Sequence, residues 1–517
     1  MSGFLRKAFS NSVWTSGSSI ANAVLGLFLA GLTIRWLGLE EAGFVLFLQA
    51  IVGANHSLVS LGLGGGCLRY VSEALGQKQA HRVRRLMETI AAFNLVSMGV
   101  LVVVLASLIP WFIEISEYQG SHEAAIFYGR FSLLGLYVGA FSKSFIQGLE
   151  AAQEFRFLSV YGVCMRLLTN GSKVAVLSLS PSLFALGVTE LVLAILGAVL
   201  VAPKFRRVFG FFPRTRPSFA IFRELWKFSR WSYLQSLSNM VLGNLDRVVV
   251  GAFFSAQALP YYSMAKRGYL MGHEMIAGFA SFFFPMLSSR GDDKHAIIER
   301  IESRVRWILT GIGIILYGGM VLVGPTLINW LVQPGFGTQI APLILIFGCV
   351  GIVSIQTVMP YHISMATDRP WLTTACQYSN TICTFLATLA AASFGSLTGV
   401  AAAHFCDAIA VILFYILIRR ENRQWRPLAR QIFSPIATSL VAWVVILFGW
   451  SFLYSIEAPW FYWFIGAAVL LPSVALLAIF LERQRGDCYR HLETVRSIQM
   501  LAAERISFFG AIRIPFI

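Results

Sequence analysis

From Val13 to Trp36 the chain runs for a full membrane width with a single charged residue, Arg35. A span needs about 20 mostly apolar residues. Runs of that kind recur along the sequence, centred near residues 25, 56, 99, 136, 167, 192, 241, 275, 317, 352, 382, 407, 443 and 470. Inside hydrocarbon the backbone must satisfy its own hydrogen bonds, so continuous apolar runs read as helices. The expectation is an all-α polytopic membrane protein with about fourteen transmembrane helices. Composition agrees, with 57% hydrophobic residues, 13% charged and a mean hydropathy of +0.69, whereas soluble domains are roughly a quarter charged. The first run is too long for the apolar part of a cleavable signal and no A-x-A-like exit follows it. It is expected to remain as a membrane helix.

The net charge of +16 would suggest nucleic acid only on a basic soluble surface. Here the cations punctuate the apolar runs, and they do so on alternate sides. Arg6 and Lys7 precede the first run; Lys78, Arg82, Arg84 and Arg85 follow the second, Arg156 the fourth, and a cluster from Lys204 to Lys227 the sixth. Arg290, Lys294, Arg300 and Arg304 follow the eighth, Arg369 the tenth, Arg419 to Arg430 the twelfth and Arg483 to Arg490 the fourteenth. The opposite connections are short or acidic, with Glu40 and Glu41, then Glu114, Glu117 and Glu123, then Glu457. By the positive-inside rule both termini are cytoplasmic. Neither nucleic acid nor a cofactor is expected as a partner. The seven cysteines lie almost entirely within apolar runs without C-x-x-C spacing, so no metal site or disulfide framework is expected.

The chain also repeats. "WTSGSSIANAVLG" (14–26) aligns with "WSYLQSLSNMVLG" (231–243), pairing Trp14 with Trp231, Ser19 with Ser236, Asn22 with Asn239 and Gly26 with Gly243. "PSLFALGVTE" (181–190) falls on "GSLTGVAAAH" (395–404) at nearly the same offset. Runs one to six and seven to twelve therefore read as two pseudo-symmetric six-helix lobes, related by an axis along the membrane normal because six is even. The expected organisation is a first lobe over 1–203, a basic cytoplasmic linker over 204–227, a second lobe over 228–420, two extra helices over 421–481 and a cytoplasmic tail over 482–517. Paired lobes of this kind generally belong to transporters with a site between them.

Polar residues then point to the site. In run seven, Ser229, Ser232, Gln235, Ser236, Asn239, Gly243, Asp246 and Arg247 share a wedge of about 120 degrees on a regular helix. Run one repeats the pattern with Asn11, Thr15, Ser18, Asn22, Gly26 and Thr33. Such stripes line a wet cavity or a close helix contact. Charges at depth say more, because each costs roughly 2.5–3.5 kcal/mol on insertion scales. In run five Ser159, Gly162, Arg166, Asn170 and Lys173 follow one face. Arg166 and Lys173 form either a cationic cavity wall for an anionic ligand or charges neutralised by Glu190, Asp246 or Asp407 from other helices.

Asp246 and Arg247 diverge by about 100 degrees and cannot pair within the helix. Arg247 is expected to reach the cavity or the outer interface, and Asp246 to balance a cation or cap the stripe. Asn22, Asn170, Gln235, Asn239 and Asp246 are the expected polar lining. Lys266 and Arg267 sit near an outer end, where snorkelling explains them; Arg35 lies at another such end. Arg130 and Lys143 point to nearly opposite faces, so at most one lines the same cavity. Glu190 and Asp407 are candidates for ion coupling or buried partners of Arg166 and Lys173. His56, His362 and His404 read as hydrogen-bonded core histidines.

These residues carry a resemblance. "IRWLGLEEAGFVLFLQAI" (34–51) resembles the first-loop signature Arg-x-Leu-Gly-Pro-Glu-x-x-Gly-x-Tyr of bacterial polysaccharide flippases, with Leu39 in place of the proline. "LDRVVVGAFFSAQALPYYSMAKRG" (245–268) resembles the same family's Asp-x-x-x-x-Gly-x-x-x-Ser...Gly-x-Tyr run through Asp246, Gly251, Ser255, Tyr261 or Tyr262 and Ala265, although Leu259 and Pro260 replace an expected glycine. "FFFPMLS" (282–288) is similar to its Phe-Pro-x-x-Ser end of span eight. The resemblance is to the polysaccharide-transport (Wzx-type O-antigen and exopolysaccharide flippase) branch of the MATE-like multidrug/oligosaccharidyl-lipid/polysaccharide exporter superfamily. It implies an undecaprenyl-diphosphate-linked oligosaccharide as substrate, an inner-membrane location, alternating access, and a polysaccharide polymerase and glycosyltransferases as partners. Arg166, Lys173 and Arg247 suit its anionic diphosphate.

Rivals differ in identifiable ways. Cation-coupled multidrug exporters usually have twelve spans and an acidic residue in the first, whereas Val13–Trp36 has none. The lipid II flippase branch shares the span count but its Thr-Asp-Ala-Phe-like run is not found. A membrane glycosyltransferase would need a large polar loop with paired carboxylates or a metal site, and the chain has no G-x-x-x-x-G-K-[ST] run for ATP hydrolysis. No catalytic residue is therefore expected, and the chain is read as a transporter.

Overall fold

The computed structural model describes residues 2–59, 63–214, 217–280, 294–366 and 370–419, and at some helical positions, 2–25 among them, the backbone alone. The chain is all-α, with no strand among the described residues. Its helices are α1 (Ser2–Val59), α2 (Leu63–Gly76), α3 (Ala80–Ile115), α4 (His122–Ala151), α5 (Phe155–Leu179), α6 (Leu183–Phe209) and α7 (Phe219–Met240). A π-helical turn (Val241–Leu245) leads into α8 (Asp246–Phe253), followed by α9 (Leu259–Ala280), α10 (Lys294–Leu331), α11 (Phe336–Ile355), α12 (Val358–Ala366), α13 (Pro370–Ser393) and α14 (Leu397–Ala402). A 3-10 turn (Ala403–Cys406) then opens α15 (Asp407–Arg419). Each of the first twelve expected runs falls on helix. The expected runs over 421–481, the tail over 482–517 and the 282–288 motif lie outside the described residues.

Six helices among the described residues are long and apolar enough to cross a membrane: Gly26–Ala54, Ala80–Ile115, His122–Ala151, Leu183–Phe209, Ile308–Leu331 and Phe336–Ser364. Their outward faces carry bare valines, with Val96, Val100 and Val103 61–70% exposed. This is the surface a helix presents to lipid rather than to water.

Local chemistry sets the boundaries. Gly38, at φ 84° and ψ 172°, interrupts α1, a conformation that needs glycine, and it separates the first two expected spans. Ser121 and Ser182 cap α4 and α6, accepting from the N–H of Ala124 at 3.3 Å and Ala185 at 3.2 Å. The basic segment expected as a linker over 204–227 is mostly helix. Residues 204–209 complete α6 and Phe219 opens α7, so among the described residues only 210–214 and 217–218 are non-helical. Phe205 explains the longer α6: it is fully buried against Phe145 at 4.9 Å, an apolar anchor among the cations.

α1 is the shared wall. It packs along α9 and α5, and also touches α8 and α10. At the end remote from the 210–218 segment, the halves meet backbone to backbone. The N–H of Ala256 donates to the carbonyl of Ser116 at 2.8 Å, and Gly43 lies against the Ala256 carbonyl with no room for a methyl group. Tyr118 is buried beside Phe44, with ring centroids 5.1 Å apart. Burial, with Glu41 and Glu40 nearby, pushes its phenol up to about 12, so this seam holds a neutral ring at any physiological pH.

Gly43→Ala should therefore separate the halves locally. The expected loss is about 1–3 kcal/mol, typical of overpacking, read as a lower Tm in detergent; an unchanged Tm would show that the seam is not close-packed.

Candidate functional site

A face of α9 organises the interior of the second half. Tyr262, Lys266, Tyr269 and His273 succeed one another at spacings of four, three and four residues, which on a helix is one narrow stripe. Lys266 is 1% exposed and its Nζ lies 2.5 Å from Asp246 Oδ2. The same carboxylate oxygen accepts from Tyr262 Oη at 2.5 Å and meets His404 Nε2 at 3.1 Å, while Oδ1 accepts from the backbone N–H of Arg247 at 2.9 Å. Lys266 also reaches the Gly243 carbonyl at 3.4 Å. Asp246 is thus enclosed by one ammonium, one phenol and one imidazole, at 4% exposure. A lone carboxylate or ammonium here would be prohibitive, and it is the pairing with full hydrogen bonding that makes the burial tolerable.

The π turn at Val241–Leu245 explains how Asp246 gets there. A π-bulge adds a residue to a helix and so rotates the next turns by about 100 degrees relative to a regular helix. Asp246 accordingly turns toward α9 and the 3-10 turn. The snorkelling expected for Lys266 is overturned for the same reason: an inward carboxylate is available, and the side chain turns to it instead of to the interface.

Next to this cluster Asp407, 8% exposed, sits in a second cage. Its Oδ2 accepts from Tyr269 Oη at 3.1 Å and from Ser354 Oγ, and its Oδ1 from Asn380 Nδ2 at 2.5 Å. Thr384 Oγ1 donates to Asn380 Oδ1 at 3.0 Å, fixing the amide. Asp407 begins α15, where the helix dipole favours an anion. His404 and Asp407 share a side because the 3-10 turn between them repeats every three residues. The partnership of Asp407 with Arg166 or Lys173 allowed by the sequence does not occur; neutral hydrogen-bond donors from three helices reach it instead. His404 is a bonded core histidine as expected, while the side chain of His56 is outside the described residues.

The first half resolves the alternatives left open for α5. Lys173 Nζ lies 2.6 Å from Glu190 Oε1, both half-buried, so of the two readings of this lysine the neutralised one is realised. Arg166 is exposed and lies within electrostatic range of Glu274 on α9, across the boundary between the halves. Asn170, one turn on, is half-buried. Arg130 is exposed and Lys143 half-buried.

Three guanidiniums, Arg35, Arg247 and Arg267, lie along the seam of α1 with α8 and α9. Arg267, a residue whose position suggested snorkelling, instead donates to the Gly26 carbonyl of α1. Arg247 and Arg267 lie within electrostatic range of each other, and Arg247 Nε is buried without a partner among the described residues. Arg35 makes a long contact to the Trp330 carbonyl at 3.5 Å. The side chains of Asn22, Gln235 and Asn239 are outside the described residues. Sequence reading marked Tyr262 only as part of the family-like run and missed the enclosing residues Tyr269, Ser354 and Asn380. The α9 spacing was a usable signal for the tyrosines, but nothing local marks Ser354 or Asn380, which matter only once three helices converge. No group of three or more His, Cys, Asp or Glu suited to a metal ion occurs among the described residues.

Removing one partner of the buried pair should be far worse than removing both. Lys266→Met alone is expected to cost about 3–5 kcal/mol by stranding Asp246, and the double variant with Asp246→Asn less than the sum of the singles. Additive losses in a double-mutant cycle on Tm would contradict the direct pairing.

Residues 33–309 match the family described as polysaccharide biosynthesis protein. No curated protein matches in sequence. Among solved structures, the chain is similar to the lipid II flippase MurJ in an inward closed conformation, at TM-score 0.67 and 14% identity over 92% of this chain and 99% of that one. It is similar also to an inward-facing multidrug resistance MATE family transporter of the MOP superfamily, at TM-score 0.66 and 13% identity over 79% and 95% of the two chains. A MOP superfamily transporter from Pyrococcus furiosus gives TM-score 0.52 and 14% identity over 79% and 94%. At these identities the structural likeness establishes the fold, MATE-like and polytopic, and the match over more than half of the chain establishes the family. The chain is a multi-pass membrane protein that belongs to the polysaccharide biosynthesis protein family.

Proposed function

We propose that the chain is a flippase that carries an undecaprenyl-diphosphate-linked oligosaccharide from the cytoplasmic to the outer leaflet of the bacterial inner membrane, by alternating access between two six-helix lobes. The observation that carries this reading is the group of guanidiniums where the halves face each other: Arg166, Arg247 and Arg267, with Glu274 near Arg166 and Asp246 already committed to Lys266. A cationic wall of this kind suits a diphosphate, which guanidinium binds in a bidentate manner. In this reading Arg166 and Arg247 hold the anion. Lys173 joins them when its Glu190 contact opens, and Asn22, Asn170, Gln235 and Asn239 face the sugars. Both termini are cytoplasmic, the polymerase and glycosyltransferases of the pathway are its partners, and no bond-making step is assigned to the chain.

Coupling is assigned to Asp407, with Glu190 held by Lys173 as the lesser candidate. Protonating a carboxylate held by neutral donors from three helices weakens the contacts that join them, which is how a proton at Asp407 would free the halves to move.

Depletion of the protein should accumulate a lipid-linked oligosaccharide on the cytoplasmic side, identified by mass spectrometry of extracted lipids. Accumulation of lipid II instead would support the second reading, a peptidoglycan-precursor flippase with the same diphosphate chemistry. Arg166→Gln with Arg247→Gln should lower export by at least about tenfold, equivalent to some 1.4 kcal/mol, at unchanged membrane insertion; undiminished export would sink the anion assignment. Asp407→Asn should abolish the response of transport to an imposed pH gradient, and an unaltered response would remove Asp407 from the coupling path.

A further inference from the structure

The end of α6 carries a second cationic feature that shares no residue with the seam. Val199, Ala202, Pro203, Arg206, Arg207 and Phe212 line an open groove of about 600 Å³. Val192, Ile195 and Val199 are 46–60% exposed and, with Arg206, fall on one face of the helix by their three- and four-residue spacing. The lipid-facing stripe of α6 thus ends in a guanidinium. Val199 and Arg206 are about 10 Å apart along the axis, so the groove runs from hydrocarbon depth to headgroup depth.

The polar end of the groove is built rather than incidental. The Arg206 guanidinium lies 5.6 Å from the centroid of the Phe212 ring, a stacking that leaves its edge N–H donors available. Phe212 in turn contacts Phe145 at 6.2 Å, and Phe211 contacts Phe205 and Phe209 at 6.1 and 6.0 Å, which pins the start of the 210–218 segment to the first half. The adjacent lysine, Lys204, is taken by Glu154 at 2.8 Å. Arg206 and Arg207 have no carboxylate within ion-pair distance among the described residues.

We propose that this groove binds an anionic glycerophospholipid of the surrounding leaflet, its phosphodiester held by Arg206 and Arg207 and one acyl chain lying along Val199, Ala202 and Pro203. Charge complementarity and the depth of the two ends select such a molecule over a soluble anion, which has nothing to place on the apolar floor. Because Phe212 begins the segment that leads to α7, the bound lipid fastens the connection between the halves to the first of them.

The test uses the full chain purified in mild detergent, with dioleoylphosphatidylglycerol as probe and native mass spectrometry as readout. Retention of the probe over dioleoylphosphatidylcholine is expected, falling at least about tenfold in Arg206→Gln/Arg207→Gln. The charge-matched control Arg85→Gln/Arg223→Gln should retain it as the parent does. Equal loss in the control would mean general attraction to a basic surface and would overturn the site, as would equal retention of the zwitterionic lipid. Displacement of the probe by farnesyl diphosphate at equimolar concentration would likewise overturn it, in favour of an isoprenyl diphosphate occupant. Phe212→Ala keeps both charges and, if the double variant does not purify, decides the matter: weakened retention supports the groove and unchanged retention contradicts it.

Discussion

Lys266 and Asp246 hold opposite charges 2.5 Å apart, at 1% and 4% exposure, in the interior of a membrane bundle. Neither is tolerable there alone. The pair therefore fixes α9 against the start of α8, and it does so because the π turn aims Asp246 inward and because Tyr262 and His404 converge with Lys266 on the same carboxylate oxygen. His404 in turn stands three residues before Asp407, whose own cage draws in Tyr269, Ser354 and Asn380. One ion pair thus anchors a polar core that ties α8, α9, α11, α13 and α15 into a unit with limited freedom to slide internally. In the proposed alternating access, rigidity of this kind within one half leaves the movement to the boundary between halves.

That boundary is built differently. At one end it depends on backbone contact, Gly43 against Ala256 and Ala256 N–H to the Ser116 carbonyl. Deeper in, its charges are mostly cationic and thinly compensated, with Arg267 satisfied by a backbone carbonyl rather than by an acid. Backbone contacts are cheap to break relative to buried ion pairs, and uncompensated guanidiniums are receptive to an anionic guest. The contrast between an internally locked half and a weakly compensated seam is the physical basis for reading the fold as one that opens around a charged lipid headgroup.

Much of the fold is legible in the sequence because hydrocarbon leaves the backbone so few choices: each of the first twelve apolar runs lies on helix, and Gly38 breaks the first pair where the Lys/Arg alternation needs a turn. The site is less legible, and the reason is specific. Helical-wheel reasoning assumes 3.6 residues per turn, and the π turn before Asp246 and the 3-10 turn before Asp407 violate that at the two carboxylates that matter most. Lys266 therefore reads as an interfacial cation when it is the buried counter-ion. On α5 the geometry is regular, and there the sequence frames the right alternatives for Lys173; only the approach of α6 with Glu190 decides between them. The basic stretch over 204–227 reads as a linker on charge alone, whereas the buried Phe205 makes its first part helix.

A flippase must itself move a lipid-linked saccharide from one leaflet to the other. The direct measurement is translocation by the purified protein in proteoliposomes loaded with undecaprenyl-diphosphate-linked oligosaccharide in the inner leaflet, followed by its accessibility to a glycosidase added outside. The prediction is time-dependent, protein-dependent exposure that stops when Ser116→Cys and Ala256→Cys are joined by a disulfide and resumes on reduction. Exposure no faster than in protein-free vesicles would contradict it, and exposure unaffected by the cross-link would contradict alternation of the two halves about this seam.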